Sequence, residues 1–204
     1  MHIAVAGNIG AGKTTLTGML SRHYHWLPQF EDIEHNPYLI DFYNDMPRWS
    51  FNLQIYFLQN RLRQLLEIRK SSRTVIQDRT IYEDAYIFAP NLHEMGLMKS
   101  RDFENYFRFF QTIEQMISPP DLLIYLKASI PTLVAQIQKR GRDYEENVRL
   151  DYLKRLNEHY DNWIERYKDK PLLIVDCDRL KFDERPEDFA AIVNMVESNI
   201  NGLF

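Results

Sequence analysis

The sequence predicts an α/β protein, a five-stranded parallel sheet flanked by helices in three layers, and three observations carry that expectation. Five short apolar runs, His2–Ala6, Trp26–Glu31, Thr74–Asp78, Asp121–Leu126 and Leu172–Asp176, alternate with long stretches of helical spacing or strong helix formers, the pattern of parallel strands joined by helical crossovers. The first run leads straight into a glycine-rich loop and then a helix-like segment, Thr15–Tyr24. With 204 residues, 45% of them hydrophobic, the chain can bury one sizeable core, so residues 1–204 read as a single domain.

The loop after the first strand is the strongest chemical signal. Gly7, Asn8, Ile9, Gly10, Ala11, Gly12, Lys13 and Thr14 fit the G-x-x-x-x-G-K-[ST] pattern in the strand-to-helix context it requires. Glycines let the backbone wrap around phosphate with its N–H groups inward, and the following helix presents its positive end to the anion. Residues 7–15, Thr15 included, are therefore assigned to ATP, and the fold is expected to be P-loop NTPase-like. Lys13 is expected to bridge the β- and γ-phosphates, and the Thr14 hydroxyl to ligate Mg2+.

The second run ends at Glu31, so a carboxylate lies at the C-terminal end of a strand, near the γ-phosphate if the sheet assembles as expected. It is a candidate general base, with a helix cap or surface acid as the plain alternative. The segment Arg48–Lys70 carries Phe51, Ile55, Leu58, Leu62 and Leu65 at spacings of three and four, which predicts a long amphipathic helix. Gln54 and Arg61 are two turns apart on one face of it. With Asp84 they can satisfy the polar edge of a heterocyclic base, or form a buried structural network.

The third run ends in Asp78 and Arg79. Asp78 can hold Mg2+, accept a proton or cap a helix, and Arg79 can act on phosphate or form a surface ion pair. Lys139-Arg140-Gly141-Arg142 gathers three cations around a glycine between two helical patterns. Residues 139–147 read as a lid in which Arg140 and Arg142 stabilise transition-state charge. The second long helical pattern, Asn147–Tyr167, has Leu150, Leu153, Leu156, Tyr160 and Trp163 on one side.

Composition excludes several classes. A formal charge of −4 gives no general attraction to polyanions, so a nucleic-acid polymer is not an expected partner. No apolar stretch approaches the roughly 20 residues that span a bilayer, and the N-terminus enters a strand rather than a signal-peptide core. Cys177 is the only cysteine and reads as a small buried thiol; a cytoplasmic location is expected.

The motifs together resemble the deoxynucleoside kinases, in particular the bacterial deoxyadenosine/deoxyguanosine kinases related to deoxycytidine kinase. Matching segments are Gly7–Thr15, Glu31 with Asn36-Pro37-Tyr38-Leu39, Phe42-Tyr43, Arg48-Trp49-Ser50-Phe51 with Gln54, Asp78-Arg79-Thr80 with Asp84, and Arg140-Gly141-Arg142 with Glu145. The resemblance covers nearly the whole chain. It implies a homodimer built on helix packing, with ATP and Mg2+ required. It also implies Glu31 as the base for the 5′-hydroxyl, with Asp78 as second candidate, and Arg79 as the group that fixes that oxygen. Tyr43 and Glu145 are implied to grip the 3′-hydroxyl, Gln54, Arg61 and Asp84 to read the base, and Phe88 to stack on it. The Arg61 and Asp84 pair disfavours thymidine, and deoxyadenosine is the favoured substrate, with deoxyguanosine and deoxycytidine open. Two departures stand out: relatives often carry Glu at Asp78 and Arg at Gln136. A nucleoside-monophosphate or small-metabolite kinase remains the alternative, followed by an ATPase switch.

Overall fold

A computed structural model describes residues 1–33, 35–142 and 149–202. Its centre is a sheet of five parallel strands: β1 (His2–Gly7), β2 (Leu27–Gln29), β3 (Val75–Asp78), β4 (Leu122–Lys127) and β5 (Leu172–Asp176), in the order β2-β3-β1-β4-β5. Alternate side chains of β1 serve opposite layers, as a pleated strand with both faces covered must. Ile3 and Val5 pack with Leu16, Leu20, Ile192 and Val196 on one face. Ala4 and Ala6 pack with Leu53, Leu156 and Tyr160 on the other. All five expected strands are present. β2 is shorter than the run Trp26–Glu31, and it is an edge strand, where Pro28 costs no interior ladder bond.

The helices are α1 (Lys13–Tyr24), α2 (Leu39–Asn44), α3 (Met46–Lys70), α4 (Ile81–Glu83), α5 (Ala89–Glu94), α6 (Ser100–Glu114), α7 (Ile130–Arg140), α8 (Leu150–Arg166) and α9 (Pro186–Asn201). The expected long helix is α3. The Asp45 side chain accepts from the Arg48 N–H at its start, Pro47 sits in the first turn, and Arg69 and Lys70 face the negative end of the dipole. Between α4 and α5, residues Asp84–Phe88 form a π-helical turn in which the Ala89 N–H reaches the Asp84 carbonyl. Pro90 is the local cause: it has no N–H for the Tyr86 carbonyl and its ring crowds that oxygen, so the helix widens. The described part of the second long helix begins at Leu150; Asn147 lies outside the described residues. No helix among the described residues is long and apolar enough to cross a membrane.

β1 is central, and the chain lays β2 and β3 on one side of it before crossing to β4 and β5 on the other. Such a reversal opens a crevice at the carboxyl ends of the strands. The glycine-rich loop leaves β1 at that point.

Candidate active site

The loop conformation needs glycine where the sequence has it. Gly10 has φ 85° and Gly12 φ 91°, and a Cβ at Gly10 would lie 2.7 Å from the Leu133 carbonyl oxygen. The loop is also fastened from outside. The Asn8 amide donates to the Leu153 carbonyl at 3.0 Å and to Asn157 Oδ1 at 2.6 Å, both on α8. Lys13 is buried and donates to the Asn8 carbonyl at 3.0 Å. Burial, with the Arg79 charge beside it, pulls the Lys13 ammonium down to about 8 against the opposing carboxylates. An incoming anion would raise it again.

Thr14 Oγ1 donates to Asp78 Oδ2 at 2.5 Å, whereas Asp78 Oδ1 is buried with no hydrogen-bond partner among the described residues. Burial raises Asp78 above the usual carboxylate range, against the pull of Lys13. The residues fit a magnesium ion: the Thr14 proton is taken by Asp78, which leaves the hydroxyl lone pairs and the orphaned Oδ1 as hard oxygen donors. Asp78 is not a helix cap. That role belongs to Thr80, which forms a capping box with Glu83.

Beside the loop lies a pocket of about 730 Å³, counting the space open to solvent. Its lining brings together Lys13, Thr14, Glu31, Tyr43, Gln54, Arg79, Asp84, Phe88, Arg140 and Arg142 from segments remote in sequence. Glu145 lies outside the described residues. Glu31 stands two residues beyond β2. Arg61 Nη2 donates to its Oε1 at 2.6 Å, and Arg79 Nε lies 3.5 Å from the same oxygen. Burial pushes the Glu31 carboxyl up, yet Arg79, Arg61 and Lys13 outweigh burial and hold it below its ordinary value. It is an ionised carboxylate at the pocket wall, neither a helix cap nor a surface acid.

Arg61 does not line the pocket. It is buried behind it, donates to Gln64 at 3.2 Å and sits 3.6 Å from Asp84 Oδ2. Burial raises Asp84 to about 7, against Arg61 and Arg79. Gln54 Oε1 and Asp84 Oδ2 are buried without hydrogen-bond partners among the described residues, and both residues line the cavity. Unsatisfied groups at a pocket wall suit a polar ligand edge. Arg79 is not a surface ion pair: it is buried, adopts φ 68°, and lies over the Phe88 ring at 4.4 Å.

A second pocket, about 350 Å³, borders the other flank of the loop. It is lined by Gly12, Thr15, Gln136, Cys177, Lys181 and Phe182 among others. Cys177 is buried as expected, which pushes its thiol up to about 12. Lys139 lines neither pocket and pairs with Asp183, at the edge of the second, and with Glu184. Sequence reasoning missed Glu83 and Tyr160. Glu83 Oε1 accepts from the Gly7 N–H at 3.2 Å and from the Tyr160 hydroxyl at 2.7 Å.

A phosphate loop on the central strand, sharing one cavity with an ionised carboxylate and the buried Arg79, defines a nucleotide-dependent phosphotransferase. The family model described as deoxynucleoside kinase matches residues 3–201, and the chain belongs to that family. The deoxyadenosine/deoxycytidine kinase of Bacillus subtilis (strain 168) is 36% identical over 98% of this chain and 93% of its own. The deoxyguanosine kinase of Lactobacillus johnsonii is 34% identical over 98% of this chain and 93% of its own. Among solved structures, the deoxyadenosine kinase of M. mycoides with products dCMP and a flexible dCDP bound superposes with a TM-score of 0.87, at 30% identity, over 97% of this chain and 100% of that one. The protein is a deoxynucleoside kinase.

Proposed function

We propose that the enzyme transfers the γ-phosphate of ATP to the 5′-hydroxyl of a deoxynucleoside, deoxyadenosine first, with deoxyguanosine and deoxycytidine as the other candidates. The observation that supports this best is the placement of Glu31, in one cavity with Lys13 and Thr14 and held ionised by Arg61 and Arg79. A carboxylate there accepts the hydroxyl proton as the oxygen attacks, while Arg79 fixes that oxygen. Asp78, raised by burial, is the second candidate for the base. Thr14 and Asp78 would hold Mg2+, which would supply charge neutralisation on the transferring group. Lys13 bridges the phosphates, and Arg140 and Arg142 contribute cations from the lid side.

Phe88 and Phe57 suit the faces of a base, and Gln54 with Asp84 suits its polar edge, with Arg61 supporting Asp84 from behind. Tyr43 and Glu145 are assigned to the 3′-hydroxyl. An amide beside a carboxyl matches the amino and ring-nitrogen edge of adenine, which is why deoxyadenosine leads. The chain is proposed to work as a single domain in the cytoplasm and as a homodimer. A groove between α4, α5, α6 and α8 supports helix packing there, since Tyr82, Tyr86, Trp163 and Tyr167 line it, with Glu94, Glu114, His159, Arg166 and Asp169 beside them.

The test is an initial-rate assay with magnesium ATP against deoxyadenosine, deoxyguanosine, deoxycytidine, thymidine and dAMP, alongside Glu31→Gln. We expect 5′-monophosphate from deoxyadenosine at the highest kcat/KM, with kcat about 10²- to 10⁴-fold lower in the variant. A preference for dAMP would transfer the chain to the monophosphate kinases. Full activity in Glu31→Gln would hand the base role to Asp78.

A further inference from the structure

We propose that Glu83 and Tyr160 are positioning residues that hold the start of the phosphate loop and Arg79 in register, so that donor phosphate and acceptor oxygen meet in line. The proposal rests on the kinase reading above. Neither residue lines the pocket, and neither was selected by any motif.

Glu83 is fully buried, a costly place for a carboxyl unless donors surround it. Four do. The Gly7 N–H reaches Oε1 at 3.2 Å and the Tyr160 hydroxyl reaches it at 2.7 Å. The Thr80 N–H and hydroxyl reach Oε2 at 2.7 and 3.2 Å. The two oxygens of a carboxyl group carry enough lone pairs to meet all four. Its two oxygens therefore tie the first residue of the phosphate loop to the residue that follows Arg79.

Tyr160 completes the junction from α8. Its oxygen lies 2.8 Å from the Gly7 carbonyl as well as 2.7 Å from Glu83, and the Arg79 guanidinium donates to it at 3.4 Å. Burial first, and the Glu83 charge next, hold the phenol protonated far above its ordinary range. The one hydroxyl hydrogen is shared between two acceptors, Glu83 and the Gly7 carbonyl, while the arginine donates to the hydroxyl oxygen. Gly7 is held through its N–H by Glu83, and its C=O lies beside the Tyr160 hydroxyl.

A capping box needs only Thr80 and Glu83 with their own backbone. A cap requires neither burial of the acid nor its bonds to a loop 76 positions away or a tyrosine 77 away. The surplus contacts all converge on the two groups that must be aligned for transfer. Small misplacement of reacting groups is expensive, which is where a positioning role leaves its mark.

The test uses the full chain with Tyr160→Phe, Glu83→Gln and the double variant. Three quantities are read well below each melting temperature: kcat and KM for deoxyadenosine and ATP, amide hydrogen exchange over residues 7–14, and thermal stability. We expect kcat to fall about ten- to a hundredfold in each single variant with both KM values within about threefold. Exchange should accelerate over the loop while β4 and α9 stay protected. The double variant should lose little more than the worse single one, because both residues act through one junction. Loss of stability with unchanged kcat would overturn the proposal and leave the pair merely structural. Unchanged exchange over the loop would overturn it as well. If the wild type phosphorylates no deoxynucleoside, the kinase reading falls on its own. Loop exchange then decides the junction: acceleration in both variants keeps it, and none removes it.

Discussion

At the residue scale, the electrostatics of the pocket floor set the behaviour of this enzyme with pH. Asp84 is raised by burial from 3.8 to about 7, with Arg61 and Arg79 pulling the other way. Between those values the unfolded chain has lost a proton that the folded chain retains. The unfolded state binds fewer protons there, so this group lowers stability as pH rises from 3.8 to about 7, and its effect is constant above. Asp84→Asn removes that slope, so the melting temperature of the variant relative to wild type should climb from pH 4.5 to 7.5. A difference that stays flat across the range would show that Asp84 is ionised throughout. Gln54 and Arg61 were readable because helical spacing alone places them on one face, and Asp78-Arg79 because opposite charges at a strand end are conspicuous. Glu83 and Tyr160 were not. An acid three residues after Thr80 has the look of an ordinary cap, and a tyrosine on the apolar stripe of α8 has the look of core. Their partners are 76 and 153 positions away, beyond any local pattern.

At the element scale, the phosphate loop is shaped by its neighbour α7 as much as by its own glycines. A methyl at Gly10 would meet the Leu133 carbonyl at 2.7 Å and Ile137 Cγ1 at 2.9 Å, in a backbone with φ 85°. Gly96 has φ 71° and nothing within 4 Å of a built Cβ. The pair separates conformational cost from steric cost. Gly96→Ala should cost about 1 kcal/mol in urea unfolding and spare activity. Gly10→Ala should cost about 2 kcal/mol or more and weaken ATP binding measured by calorimetry. Equal costs would mean that α7 yields without effort. The sequence signals the glycines but not the collision, because Leu133 arrives from a helix more than a hundred residues later. The π turn at Asp84–Phe88 was equally hidden, since only the geometry around Pro90 widens the helix there.

At the scale of the whole molecule, the proposed homodimer predicts a sedimentation-equilibrium mass near twice 24.5 kDa. Trp163→Glu in the aromatic groove should return it to the monomer mass, and a monomeric wild type would remove the dimer from the proposal. The strand count and parallel sense were legible from apolar runs, whereas the order was not. Nothing local in β2 tells it to pair with β3 rather than with β1. That order has a consequence during synthesis. β3 lies between β1 and β2, so the first two strands to leave the ribosome are not neighbours and have nothing to pair with until residues 75–78 appear. The glycine-rich loop is translated first, yet it hangs on a strand without a sheet. A nascent or prematurely terminated chain shorter than that third strand would expose Ile3 and Val5 with no partner strand, and such segments are the ones chaperones and proteases meet.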